Sequence, residues 1–432
     1  MRLFVRPVEG TASAEHVLRR LGDRARRRGL PPPAALTGDW FGGSAVLAPS
    51  VRVAGVDAAK AFATLDDQPQ MSARQASAPA GAVGGGWIGY LGYGLTDPGR
   101  FPTGSSLPQA AWGWVDRVLR RDPDGQWWFE AIGTAEPSRE LLDELGALVS
   151  AAPSPQEPAW SAGPVAGPES GQHRKAVRGC IDEIAAGEIF QANICSRFSL
   201  PFDGDPLELF AVGSARFGPA RAAYVANERG AVASLSPELF LSRHGHVVRS
   251  SPIKGTTPRR GPEDDDNAQL LRESTKDVAE NVMIVDMARN DLGRIAETGR
   301  VTTPRLLEVQ PHPGVWHLVS EVRAEVAERV PNSVLLDATF PPASVTGAPK
   351  VRALEVIAGL ESEPREVYCG AVGMASPVAG VELNVAIRTL EYTRGTVRFG
   401  VGGGITADSD PEREWQECLT KAAPLLSLLD AR

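Results

Sequence analysis

Two pairs of carboxylates recur at helical spacing in the second half of the chain. Glu414, Glu417 and Lys421 are three and four residues apart, so a helix would place all three on one face. Asp277 and Glu280 repeat the three-residue spacing just before the apolar run VMIVDMA. Two such pairs on separate helices could bind one Mg²⁺, which takes oxygen ligands and retains several waters. The alternative for Glu417 and Lys421 is an ion pair on a solvated helix face.

A lysine in an unusual setting could act as a nucleophile. Only six of the chain's 45 basic residues are lysines, and Lys254 lies between Ile253 and Gly255 at the end of a predicted strand. Burial there would lower the pKa of the ammonium and leave a free amine that can attack carbon. An exposed lysine at a strand end explains the same residues equally well, so the position alone leaves this role open.

Other residues could bind an anionic substrate. Arg388 in NVAIRTL offers a planar fork for a carboxylate, and the amides of Gly402, Gly403 and Gly404 could form an anion-binding nest. The alternative for the glycines is a tight turn or a close approach of two strands. His317 in VWHLVS is interpreted as a hydrogen-bonded strand residue unless a substrate lies against it.

The elements that must position these residues are strands mixed with helices. Residues 233–256 predict two or three short strands, and residues 264–292 predict one long helix with acidic residues at its start. A hairpin is predicted to turn at residues 394–395. The last helix is predicted to begin with Asp410 as its N-cap and Pro411 in its first position. This pattern indicates an α+β fold.

The composition excludes several classes of protein. With 432 residues, 42% of them hydrophobic, and a net charge of −8, the chain can form a large core and has no dense basic run for nucleic acid. It has no run of about 18 apolar residues, so no membrane span is predicted. The N-terminus lacks an apolar signal core, which predicts a cytoplasmic protein. Four cysteines without CxxC spacing predict reduced, buried thiols: Cys180, Cys195, Cys369 and Cys418.

The chain divides into three segments by composition. Residues 1–150 form an N-terminal segment, and residues 172–430 contain the motifs described above. Between them, residues 151–171 are rich in Pro, Ser and Gly and lack periodicity, which is typical of a linker or a long surface connection.

The motifs of residues 172–430 together resemble the chorismate-utilising enzymes. The strings that carry the resemblance are SPELFL, SPIKGTTPRR, KDVAENVMIVDMARNDLGRI, HLVSEV, SVTGAPKVRALEVI and GGGITADSDPEREWQECLTKA. Lys254 in PIKGT and the SVTGAPK form resemble the aminodeoxychorismate synthase branch, whereas anthranilate synthases typically show PIAGT. Gln191 stands where hydroxylating members carry a lysine that activates water, and an amide cannot serve as that base.

The resemblance implies a fold and a metal site. The fold would be two antiparallel sheets packed face to face with helices outside, and the N-terminal segment would contribute strands to that same sandwich. Glu280 and Glu417 would bind Mg²⁺, with Asp277 and Glu414 reaching it directly or through water. The Mg²⁺ would hold the ring carboxylate of chorismate and disperse charge as the C4 hydroxyl leaves.

The resemblance also implies catalytic roles and a partner. Glu238 in SPELF would be the general acid, protonated near neutral pH, and Lys254 would attack C2 before ammonia enters at C4. The residues implied to contact the substrate are Gln191, His317, Thr346, Tyr368, Arg388, Gly402, Gly403 and Lys421. No cysteine lies in a nucleophile elbow, which implies a separate glutamine amidotransferase subunit as the source of ammonia. The alternatives are anthranilate synthase component I activity, amination at C2, and a non-catalytic chorismate-binding subunit.

Overall fold

The computed structural model describes residues 1–72, 79–96, 107–150 and 159–430. Within these ranges the chain forms 22 strands. They are β1 (Arg2–Val8), β2 (Ala34–Trp40), β3 (Gly43–Ala48), β4 (Ala54–Gly55), β5 (Gly86–Leu91), β6 (Ala110–Val115), β7 (Arg117–Arg121), β8 (Trp127–Gly133), β9 (Trp160–Ala162), β10 (Gln191–Gly204), β11 (Arg221–Asn227), β12 (Gly230–Ser236), β13 (Leu239–His244), β14 (Val247–Ser251), β15 (Ile253–Arg259), β16 (Val301–His312), β17 (Gly314–Glu325), β18 (Gly347–Ala348), β19 (Ala371–Ser376), β20 (Gly380–Val385), β21 (Thr389–Thr393) and β22 (Thr396–Ile405).

The same ranges contain nine α-helices, none of which is long and apolar enough to cross a membrane. They are α1 (Ala14–Arg28), α2 (Arg139–Ser150), α3 (Ser170–Ala185), α4 (Pro206–Phe217), α5 (Asp266–Glu273), α6 (Thr275–Gly293), α7 (Asn332–Thr339), α8 (Lys350–Leu360) and α9 (Pro411–Leu429).

The strands form two antiparallel sheets. The first has the order β1-β8-β7-β3-β2-β11-β12-β21-β22-β10-β18, with β9 paired to β10. The second has the order β15-β17-β14-β13-β20-β19-β5-β6-β4, with β16 paired to β17. Strands from before and after residue 171 share both sheets, so the N-terminal segment is part of the same sandwich. The predicted α+β fold is confirmed.

Apolar side chains from both sheets meet in one buried layer. Leu36 and Val46 of the first sheet belong to the same buried cluster as Ile88, Val372 and Met374 of the second. Alternate residues of a strand point to opposite faces, so each sheet presents one apolar face to the other. This packing is the face-to-face arrangement that the resemblance implies.

The predicted long helix over 264–292 is wrong, because it is two helices. Ser274 has φ −66° and ψ 106°, which is extended backbone, and it separates α5 from α6. Its hydroxyl accepts the backbone N–H of Asp277, so Ser274 is the N-cap of α6. A serine hydroxyl competes for backbone groups in this way, which favours a helix start over a helix interior.

The hairpin, the short strands and the linker predicted from the sequence can each be located in the fold. The hairpin between β21 and β22 turns at Arg394 and Gly395, whose φ angles of 46° and 77° suit a tight hairpin turn. The strands predicted over 233–256 number four, β12 to β15. In the predicted linker, Trp160–Ala162 pair with the end of β10 and α3 begins at Ser170, while residues 151–158 lie outside the described residues.

The last helix carries the predicted acidic stripe. Asp410 accepts the backbone N–H groups of Glu412 and Arg413, and Pro411 takes the first helical position, as predicted. The apolar side of α9 packs into the core of the first sheet through Trp415, Cys418, Ala422, Leu425 and Leu428. This packing fixes the direction in which Glu414, Glu417 and Lys421 project.

Candidate active site

Helices α6 and α9 bring carboxylates from distant parts of the chain together with lysines. Lys254 Nζ lies 3.5 Å from Glu280 Oε2. Lys276 Nζ lies 3.9 Å from Glu280 Oε1 and 3.4 Å from Glu414 Oε1. Partial burial favours the neutral amine, but these carboxylates and Glu417 together raise the pKa of Lys276 above its ordinary value. The structure therefore joins the two predicted acidic pairs in one cluster.

Lys421 connects this cluster to the glycine-rich end of β22. Its Nζ donates to the carbonyl oxygen of Gly402 at 2.9 Å and pairs with Glu417 Oε1 at 2.6 Å. Desolvation is the largest influence on Glu417 and favours its neutral form. The opposing charges of Lys421, Lys276 and Lys254 nevertheless bring the pKa of Glu417 below its ordinary value. Glu417 is thus a carboxylate with several cations facing it.

The three consecutive glycines lie in the extended strand β22, and none has the left-handed φ that the nest, one of the two interpretations of their sequence, would need. A Cβ at Gly402 would be 2.5 Å from the Ile194 carbonyl oxygen. A Cβ at Gly404 would be 2.2 Å from Gln191 Nε2 and 3.0 Å from both Glu280 Oε2 and Lys254 Nζ. Close approach of neighbouring groups, the alternative interpretation of this run, therefore explains the glycines. Gly404 marks the point where three predicted site residues converge.

Glu238 is almost completely buried and lies directly before β13. Desolvation raises the pKa of its carboxyl to about 7, although Ser344, Lys254 and the backbone N–H of Ile253 oppose the rise. A group with this pKa is substantially protonated near neutral pH, which is what a general acid requires. Glu238 also lies close enough to Lys254 to be influenced by its charge.

His317 is a buried, neutral histidine beside Arg388. Its Nδ1 lies 2.8 Å from the Thr256 hydroxyl, and desolvation, together with the charge of Arg388, lowers its pKa to about 3. Arg388 has a left-handed backbone with φ 48°. Such backbone in a non-glycine residue is frequent at functional sites. The pair places an uncharged imidazole and a guanidinium next to each other.

Two buried polar atoms at this site meet no hydrogen-bond partner among the described residues. They are Glu414 Oε2 and His317 Nε2. Buried polar atoms without partners are rare in proteins, and a bound water, ion or ligand can supply the missing partner. Ser344 is a residue that the sequence motifs did not single out. It precedes Thr346 in the SVTGAPK motif, but only the fold places it beside Glu238.

Thr346, Gln191 and Tyr368 are three further predicted site residues, and all are buried. Thr346 is buried and its hydroxyl donates to the Pro342 carbonyl oxygen at 2.8 Å. Gln191 is buried at the start of β10, with its amide against Gly404. Tyr368 is also buried, and its hydroxyl is 3.8 Å from Cys195 Sγ in the apolar core.

Asp277 lies in the first turn of α6, about one helical turn before Glu280. Its Oδ2 accepts the Ser274 hydroxyl at 2.5 Å. Its Cγ lies 3.1 Å from where a Cβ of Gly255 would be, so it faces the start of β15. Its direct or water-mediated role at a metal stays a prediction.

The donors fit a hard divalent cation. Glu280, Glu414 and Glu417 supply carboxylate oxygens from two helices, and the unpartnered Glu414 Oε2 adds a free acceptor. Within the described ranges, no three acidic, histidine or cysteine side chains are already grouped for metal coordination. The side-chain nitrogens of Lys254 and Lys276 lie beside these carboxylates instead. Metal binding by this set would require the lysines to move.

A recess of about 330 Å³ lies elsewhere, lined by Phe41, His244 and the turn Val378–Gly380 among other residues. None of the predicted site residues lines it. The cluster around Gly404 is the candidate active site because the convergent carboxylates, lysines and unpartnered polar atoms all lie there.

The chain belongs to the family described as chorismate binding enzyme, whose model matches residues 40–427. It is 40% identical over 262 residues to aminodeoxychorismate synthase component 1 of Escherichia coli, covering 60% of this chain and 58% of the relative. It is 38% identical over 261 residues to anthranilate synthase component 1 of Streptomyces coelicolor, covering 59% and 51%. The chain thus spans little more than half the length of these curated relatives.

The fold also has solved counterparts. The structure of MenF, the menaquinone-specific isochorismate synthase of Escherichia coli, superposes with a TM-score of 0.76 and 20% identity, covering 99% of this chain and 94% of that chain. At this identity the likeness concerns the fold alone. The family expected from the sequence motifs is confirmed.

Proposed function

We propose that this protein aminates chorismate at C4 and gives 4-amino-4-deoxychorismate. The observation that carries the proposal is the convergence of Lys254, Gln191 and Glu280 on Gly404, with the buried acid Glu238 near Lys254. An amine beside a protonated carboxyl supports a displacement in which the amine attacks and the acid assists the leaving group. Gln191 at the neighbouring position has no basic atom to activate water, which disfavours hydroxylation.

Lys254 and Glu238 divide the first displacement between them. The free Lys254 amine attacks C2, the ring double bonds shift, and the C4–O bond breaks. Glu238 donates its proton to the departing hydroxyl, which leaves as water. Ammonia then attacks C4, the double bonds shift back and the Lys254 nitrogen leaves C2. The Glu238 carboxylate takes up the proton that the entering nitrogen loses, which restores the starting state.

The remaining site residues bind and orient the substrate. Mg²⁺ held by Glu280 and Glu417, with Asp277 and Glu414 near it, would polarise the ring carboxylate and stabilise charge that develops at C4. The ring would lie against His317 and Thr346. The groups proposed to bind the enolpyruvyl carboxylate are Tyr368, Arg388, Lys421 and the amides of Gly402 and Gly403.

The proposed ammonia source is a separate glutamine amidotransferase subunit. The Escherichia coli relative is named component 1, which supports a second component for that protein. For this chain the prediction is that glutamine alone gives no product and that ammonium salts replace the partner. Turnover of glutamine by the isolated chain would contradict this part of the proposal.

Product identification tests the proposed function. The protein is incubated with chorismate, MgCl₂ and ¹⁵N-labelled ammonium, and the products are separated and identified by mass spectrometry. We expect labelled 4-amino-4-deoxychorismate, which an added lyase converts to 4-aminobenzoate. The alternative is amination at C2, which the identity to an anthranilate synthase component supports. Fluorescent anthranilate formed without any lyase would establish that alternative and refute ours.

A further inference from the structure

Lys276 joins the two helices that carry the candidate metal ligands. Its Nζ lies 3.4 Å from Glu414 Oε1 on α9 and 3.9 Å from Glu280 Oε1 on α6. The Glu280 and Glu414 side chains are 9% and 4% exposed, whereas that of Lys276 is 50% exposed. A long flexible side chain in this position can move its ammonium into water without opening the protein interior.

The cluster already holds positive charge among its carboxylates before any ligand binds. The ammonium groups of Lys276 and Lys421 face the carboxylates of Glu280, Glu414 and Glu417. A divalent cation that enters while both ammonium groups stay in place brings further positive charge next to them in a partly buried site, which is electrostatically unfavourable. A substrate with two carboxylates that enters with the cation offsets the two charges of the cation. The charges therefore favour joint binding.

We propose that Lys276 is a built-in competitor of the divalent cation. Its ammonium pairs with Glu280 and Glu414 until the metal and the dianionic substrate bind together. The inference rests on the proposed function, which supplies that metal and that substrate. Its consequence is that Mg²⁺ alone binds weakly, and that Mg²⁺ and the dianion strengthen each other's binding.

Calorimetric titration with MgCl₂ alone tests this role. Lys276→Met keeps the apolar stem and removes the charge, so we expect Mg²⁺ to bind roughly tenfold more tightly than to the wild type, within the usual range of coupling between sites. Lys276→Arg keeps the positive charge and should retain the weak wild-type affinity. Unchanged or weaker binding to Lys276→Met would overturn the proposal, and so would a failure of all three proteins to bind Mg²⁺.

Thermal melting gives a second readout that also checks folding. Without Lys276 the carboxylates of Glu280 and Glu414 lose a shared counter-ion, so Lys276→Met should melt below the wild type in EDTA. It should then gain more in Tm from MgCl₂ than the wild type does. Equal gains for both proteins would contradict the proposal. Neither measurement uses chorismate or ammonia. A negative result in either one would therefore overturn the proposed role of Lys276 without bearing on the proposed amination, which the product assay tests by itself.

Discussion

A methyl group at position 404 should disable the site while leaving the fold intact. The Cβ of Gly404→Ala would lie 2.2 Å from Gln191 Nε2, a separation that real Cβ atoms essentially never show. It would also lie 3.0 Å from Glu280 Oε2 and from Lys254 Nζ. Gly404 lies within β22 and has no left-handed φ, so alanine meets no backbone strain there. The steric crowding by the added methyl group therefore acts on three functional side chains.

The expected losses of stability and of activity in Gly404→Ala depend on which atoms the added methyl group crowds. Overpacking of a core costs about 1–3 kcal/mol when neighbours are rigid. Here the nearest atoms are the ends of side chains, which can turn away, so we expect the free energy of unfolding to fall by less than about 1 kcal/mol. A displacement of about 1 Å in reacting groups costs on the order of 100-fold in rate. We therefore expect kcat/KM for chorismate to fall about 100-fold.

The assay compares Gly404→Ala with a matched glycine variant. Amination of chorismate is followed with MgCl₂ and ammonium, and thermal melting is recorded for each protein. Gly359→Ala is the control, because a Cβ at Gly359 in helix α8 meets nothing within 4 Å. It should keep wild-type activity and gain up to about 1 kcal/mol of stability. Wild-type kcat/KM in Gly404→Ala, or its outright unfolding, would show that crowding at Gly404 does not act on the site in this way.

The remaining predictions concern the acid, the nucleophile and a largely buried lysine. Because burial raises the pKa of Glu238 to about 7, activity should fall as pH rises above about 7. The raised pKa also means that the stability tied to protonated Glu238 is complete below its ordinary value near 4.5 and is lost as pH rises through 7. Glu238→Gln should therefore be inactive, yet its stability, measured by urea unfolding, should exceed that of the wild type at pH 8 by roughly 3 kcal/mol; equal stability at pH 8 would contradict the assignment. Lys254→Ala should lose C4 amination, whereas the exposed-lysine control Lys60→Ala should keep it. Product formation by Lys254→Ala at the wild-type rate would rule out Lys254 as the nucleophile. Lys350 Nζ pairs with Asp291 at 2.5 Å and donates to two carbonyl oxygens, so Lys350→Met should cost about 3–5 kcal/mol in urea unfolding, and a loss below about 1 kcal/mol would contradict that structural role.

The fold was predictable where local patterns decide it. Asp410 and Pro411 are strong helix-start signals, and the structure begins α9 there. The break at Ser274 was not predicted, because apolar spacing continues on both sides and outweighed the local capping signal of a serine three residues before Asp277. The order of strands in each sheet depends on pairings between distant segments, which the residues alone do not specify.

The site was predictable as a set of residues but not as a network. The helical spacing of Glu414 and Glu417 identified their shared face, yet Lys276 pairs with Glu414 across 138 residues of sequence. That contact exists only because two sheets and two helices bring α6 and α9 together. Ser344 beside Glu238 has the same origin. The glycine run was interpreted partly as a nest, because φ angles cannot be read from composition.

The proposed chemistry is tested most directly by a search for a carbon–nitrogen bond on Lys254. The protein is mixed with chorismate and MgCl₂ without ammonia, then digested and examined by mass spectrometry. We expect a chorismate-derived adduct, formed with loss of water, on the peptide that contains Lys254. Added ammonium should discharge this adduct as 4-amino-4-deoxychorismate. Aminated product that forms at full rate with no adduct, or with an adduct on another residue, would contradict a nucleophilic Lys254.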